Sequence, residues 1–254
     1  QTQPQFKDPT SSNFTTIKAS NNAVLDYHYD PKGNVRPWDK TLFIRVVKGF
    51  LREGDAITIT FGDKSGGSLG MRLQTFCEDS FEFHTLVDPI ATFCFQPMPE
   101  QPVIRIVAGK PERFVAVAPT ILAVGETFEV RLKGEDKWGN PSDQCNCKFT
   151  VRSSKTIVGL PEKVNLIPGQ TSSCIFGLSA NEPSDLFIEF FDETGFCVCR
   201  TNPIRIQNNP KVLHFWGDLH GQSEETIGTG TAEAYFTFAR DCAFIDVVGH
   251  QGND

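Results

Sequence analysis

Residues 212–254 narrow the possible folds more than any other stretch of this 254-residue chain. Residues 212–219 are a short apolar run, and beside its end stand groups that can do chemistry, Asp218, His220 and Gln222. Residues 221–230 read as a loop that carries Glu224 and Glu225. From Thr231 onward, Ala232, Tyr235, Phe236, Ala239 and Ala243 recur at helical spacing, which predicts one amphipathic helix with Thr231 as its N-cap. Glu233 in the first turn suits the helix dipole. Residues 243–248 predict a second buried strand, ending at Gly249-His250. Strand, helix and strand make a βαβ unit whose crossover is long enough for a parallel, right-handed connection. His220 and His250 then sit just past the C-terminal ends of neighbouring strands, about 5 Å apart in the pairing direction. That edge of an α/β sheet is where active sites are built. Two imidazoles there, with Asp218 and Gln222 two residues to either side of His220, are the pattern of part of a metal site.

Three motifs in order, Gly217-Asp218-Leu219-His220-Gly221-Gln222, Phe238-Ala239-Arg240-Asp241 and Ile245-Asp246-Val247-Val248-Gly249-His250, resemble the opening of a PHP-type (polymerase and histidinol phosphatase) domain. More narrowly, they resemble a family that places immunoglobulin-like β domains before such a barrel. The resemblance covers 212–254 and extends more loosely over the preceding β region. It implies a distorted α/β barrel in which His and Asp/Glu hold two or three divalent metals for hydrolysis, usually of phosphoesters. His220 matches the first histidine of the family's His-x-His, and His250 the one closing its Thr-Asp-His. Gln222 stands where the second histidine belongs and Gly249 where the aspartate belongs. Glutamine is a poor substitute for imidazole on zinc, so fewer metals, a harder metal or none stay open.

The implied ligands are therefore His220 and His250, with zinc, manganese or iron as the metal. Asp218, Gln222, Glu224, Glu225 and Asp246 are further ligands or groups that orient them. No catalytic residue is assigned. A closed barrel needs about 200 residues or more, so the rest of the same protein or a second chain is expected to complete it. The rival reading is a non-catalytic binding or structural protein with a degenerate barrel.

Upstream, the pattern is β. Runs rich in β-branched and aromatic residues at 41–47, 55–61, 71–77, 81–87 and 103–107 predict an N-terminal β domain over 16–108, after a loosely held leader at 1–15. Short strands about every ten residues between 113 and 207 predict an immunoglobulin-type sandwich over 109–208. The fold expected is thus mostly β, two β-sandwich-like domains followed by the first βαβ unit of a PHP-like α/β barrel over 209–254. The glycine-rich 62–68 lacks the Gly-Lys-Ser/Thr ending of a phosphate loop and reads as a turn. A net charge of −7 with no basic stripe argues against a nucleic-acid partner, and no apolar run is long enough to span a membrane. A small-molecule substrate is the partner expected. The eight cysteines leave buried free thiols, disulfides and a thiolate metal site open, so the compartment is not decided.

Overall fold

The computed structural model describes residues 3–35, 38–228 and 230–252; Gln1 and Asp254, the ends of the leader and of the α/β stretch, lie outside them. The chain is mostly β and divides into two compact units, Gln1–Thr75 with Glu82–Val103, and Phe76–Phe81 with Ile104–Asp254.

In the first unit, strands β1 (Thr15–Ala19) and β4 (Ile57–Phe61) pair antiparallel, with Ile17 opposite Ile59. So do β2 (Val24–Asp30) and β3 (Thr41–Lys48), with Tyr27 opposite Ile44. Of the strands that follow, β5 (Glu78–Glu82) falls mostly in the second unit, β6 (Leu86–Val87) and β7 (Gln96–Pro97) pair with each other in the first, and β8 (Val103–Ile106) falls mostly in the second, beside β5. The leader is better fastened than expected. Gln5 donates its amide to Asn13 O at 3.0 Å and accepts from Thr15 N at 2.8 Å. Asn13 accepts from Arg72 N at 2.7 Å through Oδ1. That side-chain bond takes a backbone donor a strand would need, and no strand forms at 71–77.

The second unit continues with β9 (Arg113–Val117), β10 (Ile121–Ala123), β11 (Phe128–Glu135), β12 (Cys147–Ser153), β13 (Lys163–Leu166) and β14 (Ser172–Leu178). Next come β15 (Ser184–Leu186), β16 (Ile188–Phe191), β17 (Cys197–Arg200) and β18 (Ile204–Gln207). They form three sheets, β14-β11-β9, β13-β12-β16-β17 and β10-β18-β15. All pair antiparallel except β10 with β18. Alternation explains the layers. Val130 and Leu132 of β11, Phe149 of β12, Ile188 and Phe190 of β16 and Ile204 of β18 meet in one buried cluster. Buried Asp136 closes the turn after β11, accepting from the amides of Gly109, Trp138 and Asn140 and from Asn140 Nδ2, all within 3.1 Å. It thereby ties the segment entering the unit to its first hairpin.

The other face of β11 carries Glu129, Arg131, Lys133 and Glu135, which alternation alone would leave in water. Instead Lys133 and Glu135 are buried, 2.9 Å apart, and Arg113 Nε donates to Glu135 at 2.6 Å.

Fully buried Leu132 and largely exposed Phe176 give a direct test of where the core lies. Urea unfolding of Leu132→Ala is expected to show a loss of about 2–5 kcal/mol. Phe176→Ser is expected to stay within about 0.5 kcal/mol of the parent.

Candidate functional site

The C-terminal part of the second unit is built from β19 (Gly217–Gly221), α1 (Ala232–Phe238) and β20 (Val247–His250). Thr231 caps α1, its Oγ1 accepting from Ala234 N at 3.1 Å. The helix widens into a π-helical turn at Ala239–Ala243, and Phe244 ends it in the left-handed region at φ 60°. Both strands therefore start later than the apolar runs suggest. The first starts at Gly217 because Trp216 is held by other bonds. Its amide donates to Asp246 Oδ2 at 2.8 Å, and its Nε1 donates to Thr120 Oγ1 at 3.1 Å. The second starts at Val247 because residues 239–244 are spent on the π turn and its left-handed cap.

β19 and β20 pair in parallel, Gly217 with Val247, Asp218 with Val248 and Gly221 with His250. His250 and the residue next to His220 are thus register partners at the C-terminal rim. What surrounds them differs from a ligand set. His250 Nε2 lies 2.8 Å from the Oγ of buried Ser223. Ser223 Oγ also accepts from Glu225 N at 3.2 Å, and its carbonyl accepts from Thr226 N and Gly228 N at 2.9 Å each. Ser223 is therefore the hub that closes the loop and fastens it to β20. Asp218 Oδ1 accepts from His220 N at 2.8 Å, a bond to the backbone and not to an imidazole. Asp246 holds the entry to β19 as described. His220, Glu224 and Glu225 are exposed, and Gln222 is half-buried. Among the described residues no three His, Cys, Asp or Glu side chains gather closely enough to hold a metal ion.

Two residues with no site signal in the sequence shape this rim, Ser223 and Tyr235. Tyr235 lies over Gly221, where an added Cβ would fall 1.8 Å from the ring, and its hydroxyl donates to Gly249 O at 3.1 Å. Partial burial and the nearby Asp218 carboxylate raise its pKa above the ordinary phenol value. Gly249 packs against Leu219, which an added Cβ would approach to 3.3 Å.

The helix end meets the β sheet beneath it. Lys133 Nζ donates to Cys242 O at 2.6 Å, Ser172 Oγ to Asp241 O at 3.0 Å, and Arg131 to Arg240 O. The buried Phe244 ring lies 5.1 Å from Lys133 Nζ and 5.9 Å from the Arg131 guanidinium carbon. Arg240 and Asp241 pair with each other at 2.7 Å.

All eight cysteines are free thiols. Burial, then the neighbouring Cys197, pushes Cys199 up to about 12, and burial followed by Glu129 pushes Cys174 up to about 11. Metal binding needs thiolate, so these positions are poor ligands near neutral pH.

No family model matches the chain. It is 25% identical over 223 residues to an uncharacterized protein of Chlamydia trachomatis serovar D, a match over 85% of this chain. The chain spans about a third (35%) of that relative's length. Among solved structures, the D00-D0 domain of intimin aligns with a TM-score of 0.30 at 11% identity, over 79% of this chain and 96% of that one.

Gly221→Ala is expected to drive the Tyr235 ring off its place and break the bond to Gly249. The expected cost is about 1–3 kcal/mol in urea unfolding, and adding Tyr235→Ala should relieve the clash. With a disulfide reagent at pH 8, exposed Cys94 should react in the folded protein, while Cys174 and Cys199 should react only on unfolding. The sign follows from their raised pKa, since the folded state holds less thiolate at that pH than the unfolded chain does.

Proposed function

We propose that this chain is the N-terminal part of a larger metal-dependent hydrolase, in which immunoglobulin-like β domains carry the first strand–helix–strand unit of a PHP-like α/β barrel. The observation that most supports it is the parallel β19–β20 pairing across a connecting helix, which brings Gly221, the residue after His220, beside His250 at the C-terminal ends of the two strands. The Chlamydia relative, about three times as long as its match to this chain, has the length a barrel needs.

The residues of this chain do not by themselves fit a metal ion. Two imidazoles fall short of the three protein ligands that a catalytic zinc uses. One of them has Nε2 on Ser223, and the carboxylates of Asp218 and Asp246 hold backbone amides. Further ligands belong to later strands of the longer protein, and no hydrolytic step is assigned to the residues here. Those same bonds favour a second reading, a binding or structural protein whose barrel is degenerate.

Metal analysis of a longer natural chain, with and without His220→Ala, tells the two readings apart. Stoichiometric zinc, manganese or iron that is lost in the variant supports the hydrolase. Metal-free parent protein overturns it in favour of the structural reading.

A further inference from the structure

The charged outer face of β11 lies outside the apolar core cluster. Yet two of its side chains are buried, so something must offset the desolvation of Lys133 and Glu135. Part of the answer is their mutual ion pair at 2.9 Å and the Arg113 bond to Glu135. The rest comes from the helix end. An α-helix leaves its last carbonyls without amide partners, and a cation placed there meets the negative end of the dipole. Here three consecutive carbonyls, those of Arg240, Asp241 and Cys242, each find a donor on the β sheet, namely Arg131, Ser172 and Lys133. Arg131 lies opposite Cys174 and Lys133 opposite Ser172 across the β11–β14 ladder, so the donors come from one continuous patch.

The turn they receive is π-helical, a wide form that is rare and frequently found at functional sites. β20 begins three residues after Phe244, and His250 is its last residue. A sheet that holds residues 240–244 at several points therefore also fixes the start of β20.

We infer that Arg131, Lys133 and Ser172 are positioning residues: the β domain grips the carbonyl end of the helix and through it sets where His250 stands. The grip is a property of this chain. Its importance for catalysis rests on the hydrolase reading, but its existence does not.

Amide hydrogen exchange and the His250 imidazole resonances of this chain, for Lys133→Met, Lys133→Arg, Arg131→Met and Ser172→Ala, test the inference without metal or activity. Lys133→Met is expected to speed exchange across 232–250 at least tenfold and to shift the His250 resonances. Exchange at Val151 and Phe190 in the core strands should stay unchanged. Lys133→Arg should restore much of the parent pattern, and Arg131→Met and Ser172→Ala should act in the same direction with smaller effect. If Lys133→Met does not fold, those two milder variants decide the matter. Unchanged exchange at 232–250 in the variants would overturn the inference, as would an increase spread evenly over the core strands. A metal-free longer protein with this pattern intact would sink the hydrolase reading alone.

Discussion

Lys133 sits where the two halves of the second unit become one structure. It is a cation removed from water on the back of a strand, tied to Glu135 on one side and to the carbonyl of Cys242 on the other. A buried charge of this kind is costly unless every direction of its ammonium group finds a partner, and removing one partner of such a pair is far worse than removing both. The geometry is thus self-enforcing. Pulling the helix end away would leave Lys133 and Glu135 with their desolvation cost and fewer bonds to offset it. Phe244 adds to the hold. A left-handed conformation costs a non-glycine residue on the order of 1–2 kcal/mol, whereas burying a phenylalanine ring contributes about 1.5–3 kcal/mol. Burial is the larger, and the cations beside the ring favour it further.

With the helix end held on the sheet, the rim needs only local chemistry. The absent side chain of Gly221 lets the Tyr235 ring lie against β19, and the phenol reaches the carbonyl of Gly249 on β20. Helix and both strands are thus tied at the end where the histidines stand. Ser223 ties the intervening loop to the same place through His250.

Much of the fold was legible because alternation and turn residues carry it. Short strands follow one another between 113 and 207 as the spacing of the pattern implies, and Thr231 caps the helix as its position before the apolar repeat implies. The parallel pair also follows from the lengths of the pieces. What could not be read was tertiary. Arg131, Lys133 and Glu135 look like a solvated strand face, because alternation says which residues share a side but not what covers it. The π turn leaves no periodic mark, since Ala239 and Ala243 fit an α-helix as well. Ser223 gave no sign at all: a serine in a glycine-rich loop is ordinary, and only the fold brings His250 to it.

The same distinction bears on the site. In the sequence, His220 and His250 stand as the ligands and Asp218 and Asp246 as further ligands or groups that orient them, because spacing cannot say which lone pairs are already in use. In the structure Asp218 accepts the amide of His220 within β19, and Asp246, just before β20, accepts the amide of Trp216 at the entry to β19. His250 lies against a buried hydroxyl, whereas His220 has an exposed side chain. The four residues therefore separate by how much each would have to give up to take a ligand. His220 gives up only water, His250 a single hydrogen bond of about 1 kcal/mol. The two aspartates would give up charge-assisted bonds of about 1.5–3 kcal/mol that also fix the strand ends. Any metal bound at this rim would therefore draw on the imidazoles before these two aspartates.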